Sequence, residues 1–176
     1  MKTFIVIFTF IACAFSLPSY GQTAYQHGDL MVNTGLGLGS SVYGGVSLNA
    51  NVEYFINDEV SLGGGFGYSG YSRSYYFGDR LRINVFYFGP RGSYHFAKAL
   101  DITNEQLDLY AGVFVGFAVV TASYGGETIT GYSGTPGAFG YDFFGGARYQ
   151  FNPKIGAFGE LGFGISIFQF GATFKL

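Results

Sequence analysis

The chain has 176 residues, enough for one domain, with 30 glycines, 21 phenylalanines, 15 tyrosines and no tryptophan. Only 11% of its residues are charged and the formal net charge is -2, which excludes ordinary disorder, because disordered chains lack aromatics and carry high charge, and leaves no basic tract for nucleic acid. A mean hydropathy of +0.26 is too modest for a helical membrane protein.

The chain begins "MKTFIVIFTFIACAFSLPSYGQ", a short positive start at Lys2 and an apolar run from Phe4 to about Ser16. Pro18 follows, and Ser19, Tyr20 and Gly21 fit the small-x-small cleavage rule. Residues 1–21 are therefore expected to be a secretory signal, leaving 22–176 as the mature domain. The apolar run falls short of the roughly 20 residues a spanning helix needs. Cys13, the only cysteine, lies inside this segment. An acylation site there would have a very short apolar stretch before it and no polar tether after it. The expected mature chain has no cysteine, so it does not rely on disulfides.

Along the rest of the chain the dominant period is two, which argues for strands with two different faces. Segment 29–39 sets Leu30, Val32, Thr34, Leu36 and Leu38 against Met31, Asn33 and glycines. Segment 46–56 sets Val46, Leu48, Ala50, Val52 and Tyr54 against Ser47, Asn49, Asn51 and Glu53. Segment 60–68 opposes Val60, Leu62, Phe66 and Tyr68 to Ser61, Gly63, Gly65 and Gly67. Segment 86–96 opposes Phe86, Phe88, Tyr94 and Phe96 to Tyr87, Gly89, Arg91, Ser93 and His95. In 107–117 the polar face carries Asp108, Tyr110, Gly112 and Phe114; in 139–151 it carries Asp142, Phe144, Gly146, Arg148 and Gln150. Segment 155–163 places Gly156, Phe158, Glu160 and Gly162 together, and 168–176 places Gln169, Gly171, Thr173 and Lys175 together. Pro90 donates no ladder bond and is expected to mark a bulge.

Eight strands of about ten residues match what a tilted strand needs to cross a bilayer. The connections alternate: short or moderate at 57–59, 97–106 and 152–153, long and rich in Gly, Ser and Tyr at 69–81 and 121–137. Outer-membrane barrels have this asymmetry of short periplasmic turns and longer outside loops. The polar face is too poor in charge for a soluble exterior, which would be about a quarter to a third charged. The other face is a near-continuous apolar band. The expected fold is all-β, an eight-stranded antiparallel up-and-down transmembrane β-barrel with the polar face inward. Its narrow interior is filled by side chains, with glycines making room for Tyr87, Tyr110, Phe114, Phe144 and Phe158.

The inward charges would be Glu53, Arg91, Asp108, Asp142, Arg148, Glu160 and Lys175. Unpaired charges there would be costly, so a lumen ion-pair network is expected. Arg91 with Asp108 and Arg148 with Glu160 lie on sequence-adjacent strands and are the expected pairs.

Three stretches, "FGPRGSYHF" (88–96), "FGELGFG" (158–164) and the terminal "FQFGATFKL", carry a resemblance that covers the whole mature chain. The chain resembles the small eight-stranded outer-membrane proteins of the OmpX and OmpA-barrel type, in the group of short secreted chains with an outer-membrane β-barrel domain. The resemblance implies a Gram-negative outer membrane and a role in envelope integrity, adhesion or small-solute permeability. It also implies contact with outer-membrane lipids and lipopolysaccharide, and with periplasmic chaperones and the assembly machinery. The terminal strand, with Phe170, Phe174 and Leu176, is similar to the signal that machinery reads. The usual final residue is Phe, and here it is Leu176.

Catalytic chemistry is not expected. The long loops offer Ser69, Ser72, Ser74, Ser123 and Ser133, but His27 and His95 fall at the other end of the barrel, so an outer-rim Ser–His pair is unavailable. Two isolated histidines suggest no metal, and no cofactor is expected. "GLGLGSSVYGG" evokes a phosphate loop, but no helix follows it. The stretch 69–82 interleaves tyrosines with arginines. Arg73, Tyr75, Tyr76, Arg80 and Arg82 are read as an aromatic girdle with bases on lipid phosphates, or as a tip binding an extracellular protein or glycan. Two alternatives to a plugged structural or interaction barrel stand: a narrow porin-like channel, and a soluble exported ligand-binding barrel.

Overall fold

The structure, a computed structural model, describes residues 25–39, 45–74, 80–124, 127–128, 138–164 and 166–176. The expected signal cleavage lies outside these residues. The strands are β1 Leu30–Leu38, β2 Val46–Phe55, β3 Val60–Ser74, β4 Arg80–His95, β5 Leu107–Tyr124, the two-residue β6 Glu127–Thr128, β7 Ala138–Gln150, β8 Ile155–Phe163 and β9 Phe168–Lys175. All neighbours are antiparallel in the order β4-β3-β2-β1-β9-β8-β7-β5, and β4 pairs with β5 to close the ring. Eight strands make the barrel, with β6 folded against the top of β5. Closure removes the unpaired edges that hydrocarbon does not tolerate.

The first and last strands meet directly. Met31 pairs with Lys175 and Leu38 with Phe168, and the amide of Leu176 donates to the Leu30 carbonyl at 2.9 Å. β1 has nine residues; at about 3.3 Å each and a tilt of about 40°, it rises about 23 Å, close to the height of an apolar belt.

Burial follows the alternation. In β2 the outward Val46, Leu48, Val52 and Tyr54 are exposed, while Ser47, Asn49, Asn51, Glu53 and Phe55 are buried. The outward band continues with Phe66, Phe88, Phe117, Phe139, Phe143, Leu161 and Phe170, all exposed. The lumen is crossed by an aromatic layer of Tyr87, Tyr110, Phe114 and Phe144, and glycine is what admits it. A Cβ on Gly67 would run into the Tyr87 ring, and one on Gly112 into the Phe144 ring and the Gly92 carbonyl.

Two local expectations are corrected. Pro90 marks no bulge: the β3 register runs straight through Gly64 opposite Pro90, and the β4 to β5 ladder skips Gly89 and Pro90, then resumes in the same register. The missing donor costs ladder bonds without adding a residue. The long connection 69–81 is mostly strand, since Tyr71 pairs with Ile83 and Arg73 with Leu81. Residues 121–124 are also strand. Gly, Ser and Tyr content suggested loops there, but above the lipid belt a strand is free to carry polar residues on its outer face. β3, β4 and β5, at 15, 16 and 18 residues, stand taller than β1, β8 and β9, at 9, 9 and 8.

Candidate functional site

The inward faces of β2, β4, β5, β7 and β8 converge on a charge cluster in the half of the lumen nearer the short turns. Glu53 is its hub. Its Oε1 accepts from Arg148 Nη2 at 3.0 Å and Asn33 Nδ2 at 2.7 Å, and Arg91 Nε lies 3.6 Å away. Its Oε2 accepts from Ser61 Oγ at 3.0 Å. Arg91 also makes a two-pronged bond to Glu160, at 2.5 and 3.2 Å, and Tyr110 donates to the same carboxylate at 2.8 Å. Arg148 Nη1 lies 3.5 Å from Asp108. Arg91 is stacked 3.7 Å above the Phe144 ring and Arg148 4.8 Å above Tyr110. Glu53, Asp108, Arg148 and Glu160 are each no more than 1% exposed.

The pairs differ from those expected between neighbouring strands. Arg91 takes Glu160 and Glu53 instead of Asp108, and Arg148 takes Glu53 and Asp108 instead of Glu160. The bore is narrow enough for an arginine to span it, so β7 reaches β2 on the opposite wall and β4 reaches β8. Of the seven inward charges, five are brought together. Asp142 sits nearer the loop end, buried beside Gly162 and Ser166. Lys175 sits at the short-turn rim, where its Nζ pairs with Asp29 at 2.6 Å.

Residues the sequence reading left out complete the cluster. His95 Nδ1 is 3.0 Å from both oxygens of Asp108, and its Nε2 is 3.0 Å from Ser61 Oγ. This is the connectivity of a Ser–His–Asp triad. Here Ser61 has no exposed surface and directs its proton to Glu53, and no approach is left for an acyl group. The trio serves to hold charge in place. His95 was legible as an inward residue from its parity with Arg91 and Ser93, and its link to Ser61 follows from the Ser61 to Ser93 register.

Below the cluster the short-turn mouth is filled by Tyr25, Met31 and Phe55. The Tyr25 ring stacks on Phe55 at 5.0 Å, and its hydroxyl accepts from Gln150 Nε2 at 3.1 Å. Arg148 lies 5.4 Å over the same ring. Burial pushes the Tyr25 phenol up to about 12, with the Arg148 charge pulling the other way. Met31 and Phe55 have inward parity; nothing in the sequence ahead of β1 announces Tyr25.

Toward the loop end, a cavity of about 30 Å³ lies between Asn49, Asn51, Arg91, Asp142 and Gln169. It is partly open and wide enough to admit water. Of the surface residues singled out, Arg73 and Arg80 lie on β3 and β4 and not in a loop. Arg82 is an exposed β4 residue, and Tyr75 and Tyr76 lie outside the described residues. In β9, Phe170 is exposed on the outer face, Phe174 half-buried and Leu176 exposed.

A closed eight-stranded ring with an apolar exterior and a charged, filled bore is the fold of the small transmembrane barrels. No protein-family model matches the chain, and no curated protein matches it. Solved structures do. The N-terminal β-barrel domain of Pseudomonas aeruginosa OprF is similar at 13% identity and a TM-score of 0.51, over 86% of this chain and 98% of that one. Neisserial surface protein A is similar at 13% identity and a TM-score of 0.56, over 84% and 96%. Yersinia pestis Ail, the attachment invasion locus protein, solved in complex with the heparin analogue sucrose octasulfate, is similar at 11% identity and a TM-score of 0.55, over 86% and 100%. At these identities the likeness is one of fold, the eight-stranded barrel.

Proposed function

We propose that the chain is an integral outer-membrane β-barrel, non-enzymatic, with a plugged lumen and a structural, envelope-integrity or surface-interaction role. The observation that carries this reading is the inverted burial: phenylalanines and leucines outside, an arginine–carboxylate cluster inside. The outward Leu48, Phe66, Phe88, Phe117, Phe139, Phe143 and Leu161 are half to two-thirds exposed, so moving each from water into hydrocarbon gains about 1–2 kcal/mol, a share of the full-burial value. Seven such gains are comparable with the stability of a typical soluble domain, about 5–15 kcal/mol. That weighs against the soluble exported barrel. The all-antiparallel closure, with the start of β1, the end of β9 and the short turns at one end of the barrel, fits a protein whose short-turn end faces the periplasm.

The test is fractionation. The protein should resist alkaline carbonate extraction, require detergent for solubility, and migrate faster unheated than boiled. Release into the aqueous fraction would overturn the reading. An outer-surface ligand is a second reading, favoured by exposed Arg82 near the top of the tall β3 to β5 wall and by the sulfated sugar analogue seen with Ail.

A further inference from the structure

The five residues ahead of β1 do more than lead into the barrel. Gly28, at φ 95°, adopts a left-handed conformation that disfavours side chains. It reverses the chain so that Tyr25 returns beneath the bore. The turn is self-braced, with Gln26 N donating to Asp29 Oδ2 at 2.8 Å and Asp29 N to the Gln26 carbonyl at 3.1 Å. It is clipped to the rim repeatedly: Phe55 N donates to the Asp29 carbonyl at 2.9 Å and His27 N to Asp58 Oδ1 at 3.2 Å. Gly28 N donates to the Phe55 carbonyl at 2.9 Å, His27 Nδ1 lies 2.8 Å from the Ile56 carbonyl, and Asp29 holds Lys175 at 2.6 Å. Only the Tyr25 side chain enters. It covers Phe55 and lies 6.1 Å from the His95 ring, while Gln150 and Arg148 fix it from β7. The strand ladders begin just beyond the segment, β1 pairing with β2 from Leu30 and with β9 from Met31 onward.

We infer that residues 25–29 form a detachable cork, with Tyr25 as its stopper, that seals the short-turn mouth and keeps water from the Glu53, Asp108 and Arg148 cluster. This rests on the membrane-barrel reading only for which compartment the mouth faces. The cork is peripheral: a one-turn segment held by rim contacts opens at lower cost than any strand of a closed sheet. The aromatic layer above it belongs to the strands and stays in place.

Thr173 reports the seal. It is fully buried on β9, opposite Asn33 and Gly156, and Gly156 in turn faces Gln150. A Cβ on Gly156 would touch both the Gln150 amide oxygen and the Thr173 methyl. In protein expressed with its own leader and purified from membranes, Thr173→Cys should react slowly with a cationic methanethiosulfonate reagent. The parent without this substitution gives the background. Adding Tyr25→Ala should accelerate the reaction at least about tenfold, whereas Tyr25→Phe, which keeps the ring, should leave it slow. Asp29→Asn, which touches no core side chain, should give an intermediate rate and serves if Tyr25→Ala fails to fold. Heat-modifiable migration reports folding in each variant, and carbonate extraction tests the membrane reading separately. Equal rates with and without Tyr25 in folded protein, or fast reaction with the cork intact, would overturn the proposal.

Discussion

Glu53 carries more of the lumen than any other single side chain. It neutralises Arg148, faces Arg91 and accepts from Asn33 and Ser61, all inside the bore. Glu53→Gln would leave Arg148 with Asp108 alone, at 3.5 Å. Removing one partner of a buried pair costs about 3–5 kcal/mol, whereas replacing both by apolar groups of similar size is often neutral. Urea unfolding in lipid vesicles should therefore show a loss of that size for Glu53→Gln and recovery of most of it in Glu53→Leu with Arg148→Met. A double variant no more stable than the single one would mean that Glu53 acts through Asn33 and Ser61. The same residues show what sequence could supply. Parity assigns each charge to the lumen. Which charge meets which depends on the width and stagger of the closed ring, and these are not written in any one strand.

Among the elements, β9 has the least redundancy. It is the shortest barrel strand, at eight residues, and it seals both β1 and β8. Phe174 pairs across to Val32 on one side and Ile155 on the other. Deleting 174–176 removes those contacts and the Leu176 bond to Leu30. The deletion should sharply lower the inserted, heat-modifiable fraction in vivo, while 168–173 alone should not restore it; normal insertion would show that the end of β9 is dispensable. Strand existence was legible here because two solvents, lipid and a polar lumen, impose strict alternation on every spanning segment. Strand ends were less so. Beyond the belt that contrast disappears, and the tops of β3, β4 and β5 read as Gly, Ser and Tyr loops although they pair as far as Ser74, Arg80 and Tyr124.

For the whole molecule the question is passage. Two barriers lie in series along the bore: the strand-borne layer of Tyr87, Tyr110, Phe114 and Phe144 with Arg91 stacked on it, and the stopper of Tyr25 on Phe55. Between loop end and cluster lies the partly open cavity lined by Asn49, Asp142 and Gln169. The reconstituted protein should be silent in planar bilayers, and Tyr25→Ala should stay silent because the aromatic layer remains. Stable single-channel openings of the parent would favour the porin-like alternative. Fold and orientation of the two faces were thus readable from the amino acids, and the loop-side chemistry of Arg73, Tyr75, Tyr76, Arg80 and Arg82 is open to binding assays with sulfated glycans.

The cross-bore pairs also bear on the order of assembly. Arg91, on β4, finds its strongest partner on β8, and Glu53, on β2, finds one of its two arginines on β7. In the β1–β4 half alone Arg91 has Glu53, at 3.6 Å, and its two-pronged bond to Glu160 waits for β8. The seam between early and late strands is therefore closed by side chains across the bore as well as by the β1–β9 ladder.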